Sequence, residues 1–247
     1  TLQDVIELPG SMPERLKGDD VTVRTRWTGS LYDSSYYYNP YMEKYRREGN
    51  VKLPFFLTPD KHYVGVAWYQ KEINLPKDWK KERIVLVLER PHIESTVWVN
   101  GHKVGMQNSL CVAHIYDVTR YVRPGKCNIT IRIDNRIKEI NVGPDSHSIT
   151  DQTQGNWNGI VGRICLQATP HVYFDDIQVF PEPEQKLARV KLRIKSSNKS
   201  STTAQVRLSA ESFNAEKKHI LPVLMQEVKV KHGIAEQEIV LPMGDDM

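Results

Sequence analysis

The densest group of side chains able to do chemistry runs Asp145-Ser146-His147-Ser148-Ile149-Thr150-Asp151-Gln152-Thr153-Gln154-Gly155-Asn156-Trp157-Asn158-Gly159. It offers carboxylates, carboxamides, hydroxyls, one imidazole and one indole, just ahead of an apolar stretch that opens at Ile160. Sugars are bound with this set. Planar polar groups take paired hydroxyls, and an aromatic face takes the C–H side of the ring. Asp145, His147, Asp151, Gln152, Thr153, Gln154, Asn156, Trp157 and Asn158 are therefore the candidate substrate-binding residues. The alternative is a loop whose Asn, Asp and Gly residues satisfy their own backbone. His147 with Asp145 or Asp151 would make an acid–base pair, but no G-x-S-x-G elbow accompanies it, so a hydrolase triad has no support. Glycosidic acid–base work needs two carboxylates facing each other across a cleft, and nothing in the spacing of Asp145 and Asp151 puts them there. No residue of the chain is assigned a catalytic role.

The elements that must carry this loop are strands. Ala67 to Leu75 alternates bulky side chains and stops at Pro76. Arg83 to Glu89 is apolar enough to be a strand buried on both faces. Thr96-Val97-Trp98-Val99 runs into Asn100-Gly101, a hairpin signal because both residues accept positive φ. Ile129, Ile131 and Ile133 share one face of the next strand, with polar groups on the other. Val161 to Ala168, Val172 to Phe180, Ala188 to Ile194 and Ala204 to Ser209 continue the pattern. Many short strands with turns between them predict an all-β sandwich architecture with little helix. Trp98 reads as core or inter-sheet packing, and Asp134-Asn135-Arg136 as a structural turn.

Arg24 to Tyr63 breaks the pattern. It holds Trp27, seven tyrosines, Phe55, Phe56 and three prolines with little alternation. Long irregular segments are usually functional or disordered, and aromatics this dense argue against disorder. Tyr36-Tyr37-Tyr38 reads equally as a stacking platform or as packing beneath a loop. All five tryptophans precede residue 170; beyond it the strands become Lys- and Glu-rich and plain.

Composition excludes several classes. The 247 residues carry 34 Lys+Arg against 30 Asp+Glu, interspersed, which makes nucleic acid a poor partner. No apolar run reaches the roughly 18 residues of a membrane span. Cys111, Cys127 and Cys165 have neither the number for a disulfide framework nor the spacing of a zinc site. No phosphate-cradling glycine loop or dinucleotide fingerprint is present, and no cofactor is expected.

Several segments, taken in order, resemble the amino-terminal sugar-binding domain of glycoside hydrolase family 2, the family of β-galactosidases, β-glucuronidases and β-mannosidases. They are Tyr63-Val64-Gly65-Val66-Ala67-Trp68-Tyr69, Leu75-Pro76, Val97 to Gly105, Tyr116-Asp117-Val118-Thr119, Gly125 to Asn135, and Trp157-Asn158-Gly159-Ile160-Val161-Gly162-Arg163-Ile164. The resemblance implies a jelly-roll, galactose-binding-like sandwich over 1–170. An immunoglobulin-like sandwich follows over 171–247, opening on His171 to Pro181 and stopping short of its last strand. In the family a (β/α)8 barrel comes next and holds the two catalytic glutamates. A barrel takes about 250 residues, so it lies outside this chain, which is expected to be inactive alone. The implied partners are a terminal β-linked sugar and that barrel of the same polypeptide; a free-standing carbohydrate-binding module is the alternative. In β-galactosidases an aspartate just upstream of the tryptophan-to-glycine-isoleucine signature contacts the sugar. Aligned without gaps over Asp151 to Ile160, that position falls on Thr153, with Asp151 and Gln152 beside it. No leader sequence is visible, and the resemblance alone implies a bacterial protein of the periplasm or the cell exterior.

Overall fold

The computed structural model describes residues 4–29, 34–53, 57–138, 146–147, 150–151, 153, 155–197, 199, 201–213, 216 and 218–244. The chain is all-β. Its only described helices are short 3-10 turns, and no helix among the described residues is long and apolar enough to cross a membrane. The chain divides into two compact units, Thr1–Lys80 with Ile84–Gln167, and Lys81–Arg83 with Ala168–Met247.

The strands of the first unit are β1 (Gly10–Ser11), β2 (Asp19–Asp20), β3 (Lys61–His62), β4 (Val66–Leu75), β5 (Arg83–Leu88), β6 (Pro91–His92), β7 (Glu94–Val99), β8 (His102–Asn108), β9 (His114–Asp117), β10 (Gly125–Asp134), β11 (Gly159–Ile160) and β12 (Ile164–Thr169). A four-stranded sheet runs β4-β10-β7-β8, and three-stranded sheets run β12-β5-β9 and β1-β11-β6. β10 is the spine of the largest sheet. It pairs antiparallel with β4 from Gly125↔Leu75 to Asp134↔Val66 and with β7 from Ile129↔Val99 to Asp134↔Glu94. The period-2 pattern does what it predicts: Ile129, Ile131 and Ile133 are buried, with Val97 and Val99 beside them. Ile84 to Leu88 is buried along its whole length, as its unbroken apolar run requires. β7 turns into β8 at Asn100 and Gly101, whose φ values of 49° and 81° give the two positive angles a tight hairpin needs.

Gly159 sits where β11 meets β1, at φ 152°. A Cβ there would collide with the Gly10 carbonyl oxygen, so only glycine lets the two backbones approach.

Among its described residues the aromatic segment forms short 3-10 turns, with the two-residue β3 at its end. Ser34–Tyr37 and Pro40–Tyr45 are 3-10 turns. The Asn39 side chain caps the second by accepting from the Tyr41 N–H at 3.0 Å. Tyr36 and Leu53 are buried together, with Trp27, Met42 and Tyr45 packed against them. The Tyr36 hydroxyl donates to the Tyr45 carbonyl at 2.8 Å, and the Arg46 guanidinium donates to the carbonyls of Tyr36 and Asn39. The tyrosine run is thus divided. Tyr36 packs under the loop, while Tyr37 and Tyr38 are exposed. Tyr32, Phe55 and Phe56 lie outside the described residues.

The second unit contains β13 (Val172–Glu182), β14 (Leu187–Ser196), β15 (Thr202–Leu208), β16 (Leu224–Val230) and β17 (Ile234–Pro242). One sheet runs β13-β14-β17 and a two-stranded sheet pairs β15 with β16. Val190, Leu192, Ile194, Val206, Val228, Val230 and Ile239 form its core.

Candidate carbohydrate site

The polar loop ahead of β11 is held from within by a buried carboxylate. Asp151 is 1% exposed. One of its oxygens accepts from the Asn156 N–H at 2.7 Å and the other from the Thr28 N–H at 2.5 Å. The Thr28 carbonyl accepts in return from the Asp151 N–H at 3.0 Å and from the Thr150 hydroxyl at 3.2 Å. His62 Nε2 lies 3.8 Å from the same carboxylate, and its ring packs against Trp27 with centroids 4.9 Å apart. Asp151 therefore ties the loop to the start of the aromatic segment, more than a hundred residues earlier.

Three buried asparagines continue the network. The Asn156 amide donates to the Asn135 carbonyl and to the Thr28 hydroxyl, both at 3.0 Å. Asn135 donates to Asn156 Oδ1 at 2.9 Å and to the Tyr63 carbonyl at 2.8 Å, and accepts from the Gly65 N–H at 2.8 Å. Asn158 donates to the carbonyls of Gly65 and Ile133 at 3.0 and 3.2 Å and accepts from the Tyr69 hydroxyl at 2.8 Å. Burial, with the Tyr63 phenol nearby, pushes the Tyr69 phenol well above its ordinary range. Satisfied polar networks of this kind fix one conformation, because any member left unpaired is costly.

The loop's outward side differs. His147 is exposed, and Thr153 and Trp157 are half-buried. The Thr153 hydroxyl donates to the His147 carbonyl at 2.6 Å, leaving its lone pairs to accept. The Trp157 ring stacks on His92 with centroids 4.4 Å apart and planes at 22°. Burial holds His92 neutral, lowering its pKa to about 4 despite a favourable contact with Asn156. Gly155, Asn156 and Trp157 form one wall of an open cleft of about 1560 Å³. Tyr45, Arg46 and Asn50, from the aromatic segment, also line it.

Of the nine residues expected to bind substrate, the structure brings Asp151, Asn156 and Asn158 into the buried network and Trp157 to the cleft wall. His147 and Thr153 lie at the loop's outer surface. Asp145, Gln152 and Gln154 lie outside the described residues. The sequence reading did not single out Thr28, His62, Tyr69 or Asn135 for this site. In the sequence Asn135 reads as part of a structural turn at a strand end, and Tyr69 as part of a segment that carries the family resemblance. Among the described residues no group of three or more His, Cys, Asp or Glu is arranged to hold a metal ion.

Residues 14–170 match the family model described as "Glycosyl hydrolases family 2, sugar binding domain". The chain belongs to glycosyl hydrolase family 2. Similar curated proteins include the β-glucuronidase of Homo sapiens, 28% identical over 162 residues, which are 56% of this chain and 25% of that protein. The β-glucuronidase of Mus musculus is 28% identical over 149 residues, 52% of this chain and 23% of that protein. The chain thus spans about a quarter of the length of these family 2 relatives. Among solved structures, a family 2 member from Bacteroides cellulosilyticus matches with a TM-score of 0.61 at 14% identity, over 97% of this chain and 27% of that one. Bacteroides uniformis β-glucuronidase 2, covalently bound to a cyclophellitol-6-carboxylate aziridine, matches with a TM-score of 0.58 at 20% identity, over 74% of this chain and 22% of that one. These structures share the β-sandwich fold of the chain.

Proposed function

We propose that this chain is the non-catalytic amino-terminal region of a family 2 exo-β-glycosidase. Its loop from Ser146 to Asn158 forms part of the wall around the terminal sugar, and the glycosidic bond is cleaved on a barrel elsewhere in the same polypeptide. One observation carries the reading. The buried clamp of Asp151 with Asn156 and Thr28 leaves His147, Thr153 and Trp157 on the loop's accessible side, with Trp157 on the cleft. In this reading Asp151, Asn156 and Asn158 are positioning residues. His147 and Thr153 offer hydrogen bonds to sugar hydroxyls, and Trp157 offers a ring face. The curated relatives favour a β-glucuronoside as the sugar, and Thr153, where β-galactosidases are expected to carry aspartate, favours it over a galactoside. The family resemblance also favours a bacterial protein acting in the periplasm or outside the cell.

The test is an amide and indole NMR titration of the chain with methyl β-D-glucuronide and methyl β-D-galactoside, beside an assay with 4-nitrophenyl β-D-glucuronide. No turnover is expected, since in this reading the bond is cleaved on the barrel elsewhere in the polypeptide. Weak binding is expected, because an open wall buries little ligand, with shifts at His147, Thr153 and Trp157. Turnover that follows the chain through purification overturns the reading. So do shifts that avoid those three residues. Micromolar affinity in isolation would favour a free-standing carbohydrate-binding module instead.

A further inference from the structure

The outward face of the four-stranded sheet carries a pair of tryptophans. Trp68 on β4 is 59% exposed. Its neighbour Tyr69 points the other way, into the buried network, as strand alternation requires. Trp98 on β7 is half-buried. The two strands flank β10, where Trp68 pairs with Arg132 and Trp98 with Thr130. Across that strand the two indoles meet, with centroids 5.1 Å apart and planes at 38°. The expectation that Trp98 packs in the core or between sheets is therefore replaced by an outward position beside a second indole.

The surroundings of the pair narrow what it can take. Gln70 is exposed and donates to the Thr130 hydroxyl at 3.3 Å, and Lys103 is exposed opposite Trp98. Met106, 53% exposed, lies beside Thr96. Elsewhere the face is taken up by ion pairs: Arg132 with Glu94 and Asp134 at 2.6 and 2.8 Å, and Lys126 with Glu72 at 2.8 Å. A protein interface centres on a contiguous apolar patch, whereas here two flat rings stand in a polar, ion-paired field. We propose that Trp68 and Trp98 form a platform for an extended β-linked polysaccharide segment. Two successive sugar rings would lay their C–H faces on the indoles while Gln70, Thr130 and Lys103 take hydroxyls. The choice of a sugar over another flat ligand rests on the carbohydrate reading above.

The experiment is an indole N–H NMR titration of the chain with cellotetraose, with glucose as the short control. The Trp68 and Trp98 signals are expected to move together and saturate in the low-millimolar range, with glucose at least 10-fold weaker. Trp68→Ala is expected to weaken cellotetraose at least 10-fold, and Trp68→Phe to restore part of the loss. Because Trp68 is exposed, Trp68→Ala is expected to fold; an unchanged amide spectrum elsewhere checks this. Unmoved indole signals, or an affinity indifferent to Trp68→Ala, overturn the proposal. So does a Trp68→Ala change in sedimentation from dimer to monomer without an effect on sugar, which would give the face to a second copy. The loop reading fails separately: shifts with methyl β-D-glucuronide at His147, Thr153 and Trp157 do not depend on Trp68.

Discussion

In the first unit the long sheet buries Ile129, Ile131 and Ile133, and the seam beside it is filled by Asn135, Asp151, Asn156 and Asn158, all 4% exposed or less. In the second unit the core is aliphatic: Val190, Leu192, Ile194, Val206, Val228, Val230 and Ile239. Its first strand is left partly uncovered. On β13, Ile177 lies opposite Leu192, Val179 opposite Val190 and Phe174 opposite Ile194, so all three belong to the inward face. They are nevertheless 53%, 59% and 49% exposed. The sheet of β15 and β16 has two strands against the three of β13-β14-β17, and β13 is an edge of the wider one. One unit thus closes around a polar network that must be complete, while the other rests on non-directional apolar contacts that are incomplete along one edge. The first should fail sharply when a single hydrogen-bonding group is removed. The second should fail in proportion to the apolar volume removed, and not at all at its open edge.

Asn158→Ala tests the first half of that contrast and should have the largest effect. It strands the buried Tyr69 hydroxyl and takes one donor from each of the carbonyls of Gly65 and Ile133, of which Gly65 keeps the Asn135 N–H at 3.3 Å. Each group left unpaired costs about 1–3 kcal/mol, so a loss of about 4 kcal/mol is expected. Urea unfolding followed by hydrogen exchange should locate the loss in the first unit, with the amides of β14 and β17 unaffected. A loss below about 1 kcal/mol would mean that water replaces the side chain, and the network would not be what holds the loop.

Ile194→Ala tests the second half. Ile194 is 2% exposed in the aliphatic cluster, and removal of a buried isoleucine side chain costs about 2–5 kcal/mol. About 3 kcal/mol is expected, confined to the second unit by the same exchange measurement. Equal loss of protection in both units would show that they unfold as one, and the comparison would collapse.

Acid separates the units a third way. His92 is buried under Trp157 and held neutral, with a folded pKa of about 4 against about 6.5 when unfolded. Between these values the unfolded chain binds the extra proton, so stability falls as pH falls. The contribution is whole above pH about 6.5 and is lost progressively down to pH about 4, a total of about 3 kcal/mol for this one group. His114, bonded to the Ser95 hydroxyl at 2.6 Å and lowered by burial, acts in the same direction and in the same unit. Thermal melts from pH 7 to 4.5 should show the first unit losing stability, and His92→Gln should flatten most of the slope. An unchanged slope in that variant would remove His92 from the account.

The sequence made the strands readable and the network not, for a physical reason. Alternation at Ile129, Ile131 and Ile133 records one buried face within five residues, and Asn100-Gly101 records a local φ requirement. The all-β sandwich architecture follows from such local marks. The inward turn of Asp151 depends on Thr28, and that of Asn158 on Tyr69 and Gly65, partners far away in the chain. Nothing at positions 145–159 alone separates a carboxamide that meets solvent from one that meets a carbonyl. The same holds at Tyr36 and Tyr37, adjacent and identical, where Tyr36 is buried by Leu53 and Tyr37 is not. Trp98 was misread because a tryptophan in mid-strand is usually covered, and its face is decided by the register with Thr130.

The smallest expected effect is at the open edge. Ile177→Thr removes a branched apolar side chain that sits on the inward face yet is more than half exposed, and threonine keeps the β-branch that suits a strand. Little apolar area returns to water, so the change in stability should be within about 0.5 kcal/mol. Ile194, one strand away and facing the same side, sets the scale for a covered position. The open edge should show itself through association. Exposed apolar side chains on an edge strand invite a second chain, so Ile177→Thr should reduce concentration-dependent self-association in sedimentation velocity. A loss above about 1.5 kcal/mol would mean that Ile177 is covered within this chain in solution. The two units would then be closed alike, and the difference between a network that must be complete and a core that need not be would rest on chemistry alone.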